Sequence, residues 1–187
     1  MLEVVDKPAT CQQASPLSRE TYHAMIESGI VGPKNELLWG VIVEKMSKSP
    51  LHTRIVASLL AMFANRLNSS IWVRKEEPLV CQDSEPEPDI AFVRGEIDDF
   101  REAHPETAEL VIEVAVSSLA IDREKASLYA TANVPQYWIL NLNDKTLEVY
   151  SKPLNGAYQE CRTISEGDTL EVPCTEGLTL NLGELFA

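Results

Sequence analysis

Glu113 is the residue of this sequence hardest to explain as ordinary structure. It stands inside Leu110-Val111-Ile112-Glu113-Val114-Ala115-Val116, an apolar run of strand length and of the kind buried on both faces of a sheet. A carboxylate buried there alone costs several kcal/mol, so it needs a cation or a proton. Strand alternation sets Glu113 on the face of Val111 and Ala115, away from Ile112 and Val114. Asp89 follows Pro88 and opens a second apolar strand through Val93. By itself it reads as a turn aspartate. If the two strands are neighbours, both carboxylates converge on one place. Such an oxygen pair suits Mg²⁺ or Mn²⁺, whose remaining positions take water and phosphate oxygens. A metal held there polarises a phosphodiester and makes an attacking water more acidic.

Lys125 is expected on the helix after Glu113. Its helical neighbours are Ile121, Leu128, Tyr129 and Ala132, which puts it on the sheet-facing side. There it is an amine aimed at Glu113, orienting water or stabilising charge on phosphate, or else a snorkelling side chain or the partner of Asp122 at i, i+3. His52 lies on the apolar stripe of an earlier helix, the place of a satisfied core histidine or of a site residue. Glu36 and Glu44 belong to a hairpin before that helix, and their type and position alone read as solvated strand residues.

The elements that must position these groups follow from periodicity. Ser18 caps a short helix through Ser28, stopped by Gly29. Residues 36–39, Gly40 and 41–46 read as a β-hairpin. Residues 51–67 form a helix, with His52, Ile55, Val56, Leu59, Met62 and Phe63 on one stripe. Residues 71–74 and 78–81 read as short strands, followed by an acidic, proline-punctuated loop at 82–88. Residues 89–93 are a strand, 94–108 a polar excursion and 110–116 the strand of Glu113. A helix at 122–132 and strands at 136–142, 145–150, 157–163 and 168–172 complete the chain. This is α/β or α+β, a mixed sheet with helices interposed. Residues 1–16 read as an N-terminal arm and 17–187 as one domain.

The 187 residues carry 29 acids against 16 bases, a formal net charge of −13. That disfavours non-specific DNA binding, which rests on neutralising phosphates. It leaves room for a local basic groove, or for a cation offsetting clustered acids. Cys11, Cys81, Cys161 and Cys174 lack Cys-x-x-Cys spacing and read as separate reduced thiols, not a zinc ribbon. The first residues show no signal pattern and no apolar run approaches a membrane span. The expectation is a cytoplasmic protein with no membrane association.

The segments NELLWGVIVEKMS, PLH, PEPDIAFV, ELVIEVAVSSLAIDREKASLYATANVPQYWIL and LEVY occur in that order. Over about residues 17–186 they resemble the Uma-type endonucleases of the PD-(D/E)xK restriction-endonuclease-like superfamily. The resemblance implies a mixed sheet flanked by helices, with the β-hairpin before the first core helix. It implies Asp89 and Glu113 as the two acids and metal ligands, and Lys125 as the lysine, moved to the following helix because Ala115 occupies its usual place. It also matches Glu36 and His52 to positions that line the site. Three departures stand out: Trp39 replaces a familiar acid, Glu87 precedes Pro88 where a base is familiar, and Asn141 ends a strand that commonly ends in aspartate. The function this implies is Mg²⁺- or Mn²⁺-dependent cleavage of nucleic acid, DNA foremost, by a homodimer. A non-catalytic binding or assembly module on the same scaffold, and an enzyme acting on a nucleotide, are the alternatives.

Overall fold

A computed structural model describes residues 13–64 and 66–187. Most of the expected arm at 1–16, and Cys11, lie outside the described residues. Pro16 and Leu17 are already docked. The Leu17 N–H donates to the Gly40 carbonyl at 2.9 Å, and a Cβ on Gly40 would meet the Pro16 Cβ at 2.3 Å. Gly40 (φ 73°) and Trp39 (φ 50°) form the two-residue turn that suits a right-twisted hairpin, and only glycine fits against the proline.

Helix α1 (Arg19–Glu27) is capped by Ser18, whose side chain accepts from the Thr21 N–H. The hairpin is β1 (Asn35–Leu38) and β2 (Val41–Glu44), a separate two-stranded sheet. Helix α2 (Pro50–Phe63) has Ser49 as its cap and Pro50 in its first turn. It stops before the expected residue 67, because Ala64 turns out of the helix (ψ 128°) and Leu67 bridges to Thr175.

The main sheet runs β3 (Ile71–Arg74), β4 (Ile90–Arg94), β5 (Leu110–Ala115), β6 (Gln136–Asn141), β7 (Thr146–Leu154) and β8 (Ala157–Ile164), in that spatial order. All neighbours are antiparallel except β5 and β6, which are parallel and joined by helix α3 (Leu119–Thr131). Strands β9 (Thr169–Glu171) and β10 (Thr179–Asn181) form a second small pair, and α4 (Leu182–Phe186) follows. Neither β10 nor α4 was expected from the sequence. Residues 78–81 are not a strand. Leu79 N–H donates to the Pro86 carbonyl and Val80 N–H to that of Pro105, and Cys81 makes one isolated bridge to Ser84. Prolines at 78, 86, 88 and 105 deny this stretch the donors a ladder needs.

The sheet has two apolar faces, as the alternation in β5 requires. Ile112 and Val114 join Ile55, Leu59 and Phe63 of α2, with Phe63 edge-on to Phe92 at 4.9 Å. Val111 and Ala115 join Leu128 and Tyr129 of α3 with Tyr137 and Ile139 of β6. The β5–α3–β6 crossover therefore covers the face on which Glu113 lies. Among the described residues no helix is long and apolar enough to cross a membrane. The described cysteines are unpaired: Cys81 buried, Cys174 half-buried and Cys161 exposed.

Candidate active site

Register brings the two acids together. Ile90 of β4 faces Ile112 of β5, so the next residues out, Asp89 and Glu113, are opposite. The Asp89 N–H donates to Glu113 Oε2 at 3.3 Å, and the Val114 N–H to Asp89 Oδ2 at 2.8 Å. His52, at the start of α2, sets its Nε2 3.0 Å from both Asp89 carboxylate oxygens. Its Nδ1 is the one buried side-chain polar atom without a partner among the described residues.

Lys125 reaches the same place from α3. Its Nζ lies 2.9 Å from Glu36 Oε1 and 3.2 Å from Glu113 Oε1, and the Tyr129 hydroxyl donates to Glu113 Oε1 at 3.1 Å. Glu36 also accepts the Glu87 N–H at 3.1 Å. It is not a solvated strand residue: at 4% exposed it is as buried as Glu113 and Lys125, each at 5%. Glu44 is exposed, as expected. Asp122, one turn before Lys125, is 3% exposed and is held by the Ser118 hydroxyl at 2.6 Å. It pairs with Ser118 and not, as one sequence reading had it, with Lys125.

Glu36, His52, Asp89, Glu113, Asp122 and Lys125 line one cleft of about 540 Å³. Its walls are the open end of the hairpin, the first turns of α2 and α3, and the ends of β4 and β5. Helix N-termini favour anions, yet seven acidic side chains line this cleft against three lysines. Burial, opposed by Lys125 and reinforced by Asp122, Asp89 and Glu36, pushes Glu113 well above the usual carboxylate range. Burial likewise lifts Asp122 to about 6. Burial works against the Lys125 ammonium as well, but Glu113, Glu36 and Asp122 together outweigh it and hold Lys125 above the ordinary lysine range. A proton on Glu113 and a full ion pair with Lys125 exclude each other. The shorter contact is to Glu36, so the ammonium serves Glu36 first.

Could a divalent cation fit here? Among the described residues no three His, Cys, Asp or Glu side chains are grouped as a ready cage. Two adjacent carboxylates are nonetheless an ordinary protein share for Mg²⁺, which keeps several waters. The cluster carries more acid than one ammonium balances, and burial together with Asp122, Asp89 and Glu36 raises Glu113 well above the usual carboxylate range. A divalent cation supplies the missing positive charge, so the donor set fits.

The sequence-derived set Glu36, His52, Asp89, Glu113 and Lys125 is therefore brought together. Asp122 was missed as a cleft group, and Tyr129 as a buried partner of Glu113. The signal was present, since both sit at helical spacing with Lys125, on its face. Glu85 was missed too. It is 5% exposed and sits 2.9 Å from His23 of α1. Trp39 stands at the hairpin turn and does not line the cleft. Asn141 closes a turn, accepting from the Asn143 and Asp144 N–H groups.

The architecture is that of a nuclease-like mixed α/β domain. A solved structure described as a "putative nuclease belonging to DUF820 from Anabaena variabilis" superposes with a TM-score of 0.72, at 17% identity, over 87% of this chain and 96% of that one. At that identity the likeness carries the fold alone. The family follows from the sequence: residues 19–183 match the Uma2 model, described as "Putative restriction endonuclease", and the chain belongs to that family. No curated protein matches.

Proposed function

We propose that this chain hydrolyses phosphodiester bonds of nucleic acid, DNA foremost, with Asp89 and Glu113 holding Mg²⁺ or Mn²⁺. The observation that carries the reading is the pair of buried carboxylates on neighbouring strands, with an ammonium against one of them. A divalent cation, when bound, supplies charge stabilisation at the phosphoryl group and a more acidic water. The protein's own groups do the rest. Lys125 stays charged and so acts on developing phosphate charge, not as a base. Glu36 fixes the ammonium from the hairpin side. His52 fixes Asp89 through Nε2. Asp122 stands in the first turn of α3 as a further proton-holding group. Family membership and fold support this reading. The cleft volume is in the range of small-ligand sites, so it takes a single strand or a strand end more readily than a duplex.

A second reading draws on the cleft charge. Seven acids against three lysines suit a non-catalytic module whose Lys125 is simply a buried counter-ion. Calorimetric titration with Mn²⁺, beside Asp89→Asn, separates the two. Binding lost in the variant supports the metal site and justifies screening single-stranded, duplex and nucleotide substrates. No binding in either protein at millimolar Mn²⁺ removes the metal site and leaves the module. A homodimer is the assembly we propose. Six of the eight exposed large apolar side chains among the described residues fall between Ile26 and Leu51. Sedimentation at the one-chain mass of 20.8 kDa would exclude it.

A further inference from the structure

Whatever enters this cleft as a phosphate must find a cation, and the lining offers three lysines. Lys125 is buried and committed to Glu36 and Glu113. The others, Lys45 and Lys48, lie on the segment from β2 to α2 and reach across the cleft mouth. Lys45 Nζ is 2.6 Å from Glu87 Oε2, and Lys48 Nζ is 2.5 Å from Glu76 Oε2.

The two glutamates are not chance surface partners. Glu87 is anchored by its own N–H to Glu36 Oε2. Glu76 sits at φ 55°, a conformation that costs a non-glycine residue free energy and is kept only where surrounding bonds impose it. Those bonds run from its N–H to the carbonyls of Pro88 at 3.1 Å and Asp89 at 3.3 Å. The main chains of both residues are thus tied to the site, Glu87 to the Glu36 carboxylate and Glu76 to the Pro88 and Asp89 carbonyls. The pairs are open to exchange, because the four side chains are 22–42% exposed and half-exposed ion pairs are weak. Glu76 also has a second cation in reach, with Lys75 Nζ at 3.5 Å from its Oε1, so it keeps a partner when Lys48 leaves.

We infer that Lys45 and Lys48 are the phosphate-binding groups of the cleft, and that Glu87 and Glu76 are built-in competitors holding them until a single-stranded nucleic acid takes the carboxylates' place. This rests on the reading of the ligand as nucleic acid given above, and it names the groups that bind it and what restrains them. One consequence concerns salt. A freed carboxylate recruits a cation from solution as the phosphate gives one up, so the exchange flattens the salt dependence of binding. Removing the carboxylates restores it.

The test uses the full chain and a fluorescent single-stranded oligodeoxynucleotide, read by polarisation in EDTA from low to moderate salt. The E76Q/E87Q variant should bind about two- to fivefold more tightly per carboxylate removed at low salt. Its logarithmic salt slope should steepen by about 0.7 for each lysine released. K45Q/K48Q should lose most binding, and adding E76Q/E87Q to it should recover none. Thermal melts of each variant confirm that folding is retained. Unchanged affinity in E76Q/E87Q, a gain that persists without the lysines, or no binding by E76Q/E87Q would each overturn the inference. So would equal competition by a duplex of the same sequence, for its single-strand part. A parallel Mn²⁺ cleavage assay keeps the two readings apart. The affinity pattern without Asp89-dependent cleavage leaves the clamp and removes the hydrolase. Cleavage with an unchanged E76Q/E87Q affinity does the reverse.

Discussion

Helix α3 carries two acid–base contacts two residues apart, and they behave oppositely. Arg123 reaches outward to Glu148 of β7, which also accepts the Tyr150 hydroxyl at 2.7 Å. One acid, one base and one neutral donor balance there, and the hydrogen bond from Arg123 holds Glu148 below its usual range. Lys125 turns inward to Glu36 and Glu113, with Asp89 and Asp122 close by. Here acids outnumber the base and burial drives Glu113 upward. The first contact is finished structure. The second buries more acid than base, and surpluses of that kind gather at functional sites.

The comparison breaks most sharply at the two basic residues. Lys125→Met leaves buried acids without a counter-ion and should cost about 3–5 kcal/mol, a large part of a domain's stability. Arg123→Ala removes a half-exposed partner and should cost at most about 1 kcal/mol. Equal losses in urea unfolding would dissolve the distinction. In Mn²⁺ calorimetry, Asp89→Asn should weaken binding at least about 100-fold, the upper end of what losing a mere supporting partner costs, while Glu148→Gln leaves it unchanged.

The pH dependence should differ in sign. Asp122 is raised from 3.8 to about 6. Between those values the folded chain keeps a proton that the unfolded chain has released. This contribution is full below about pH 4 and is lost, on the order of 3 kcal/mol, as pH rises to about 6. Glu148 is lowered, so its contribution is present above the usual carboxylate range and lost as pH falls through it. Melting temperatures from pH 4 to 7 should therefore fall less steeply in Asp122→Asn, with Glu113 still contributing in the same direction, and an unchanged profile would count against a buried Asp122. The smallest effects set the amides against each other. Without metal, Glu113→Gln should leave stability at neutral pH unchanged or raised, since it removes a carboxylate whose charge burial disfavours. Glu148→Gln should lower it by about 1 kcal/mol. Differential scanning calorimetry at one pH reads both, and matching signs would merge the two contacts.

Much of this was legible because Glu113, Lys125 and His52 violate the pattern of the element that carries them. A charge in an apolar strand or on a sheet-facing stripe is visible without coordinates, and the β5–α3–β6 periodicity fixes which face it occupies. Glu36 was hidden because a short hairpin strand of mixed type reads as solvated; only its contact with Lys125 shows otherwise, although the family resemblance had marked it. Asp122 was hidden because an acid in a helix's first turn already has a sufficient reason in the helix dipole. Residues 78–81 looked like a strand by composition, but whether their N–H groups find a ladder or a proline carbonyl is decided by distant segments. The short β10 and α4 gave too few residues for either periodicity to register.

The order of these groups along the chain has a consequence in time. Glu36, Asp89 and Glu113 all precede Lys125, and the crossover helix bearing it comes after both strands it serves. A chain growing from its N-terminus thus produces the acids before their ammonium. Until α3 docks, those acids lack the ammonium that Lys125 supplies, so the cluster is complete only once the crossover helix is in place.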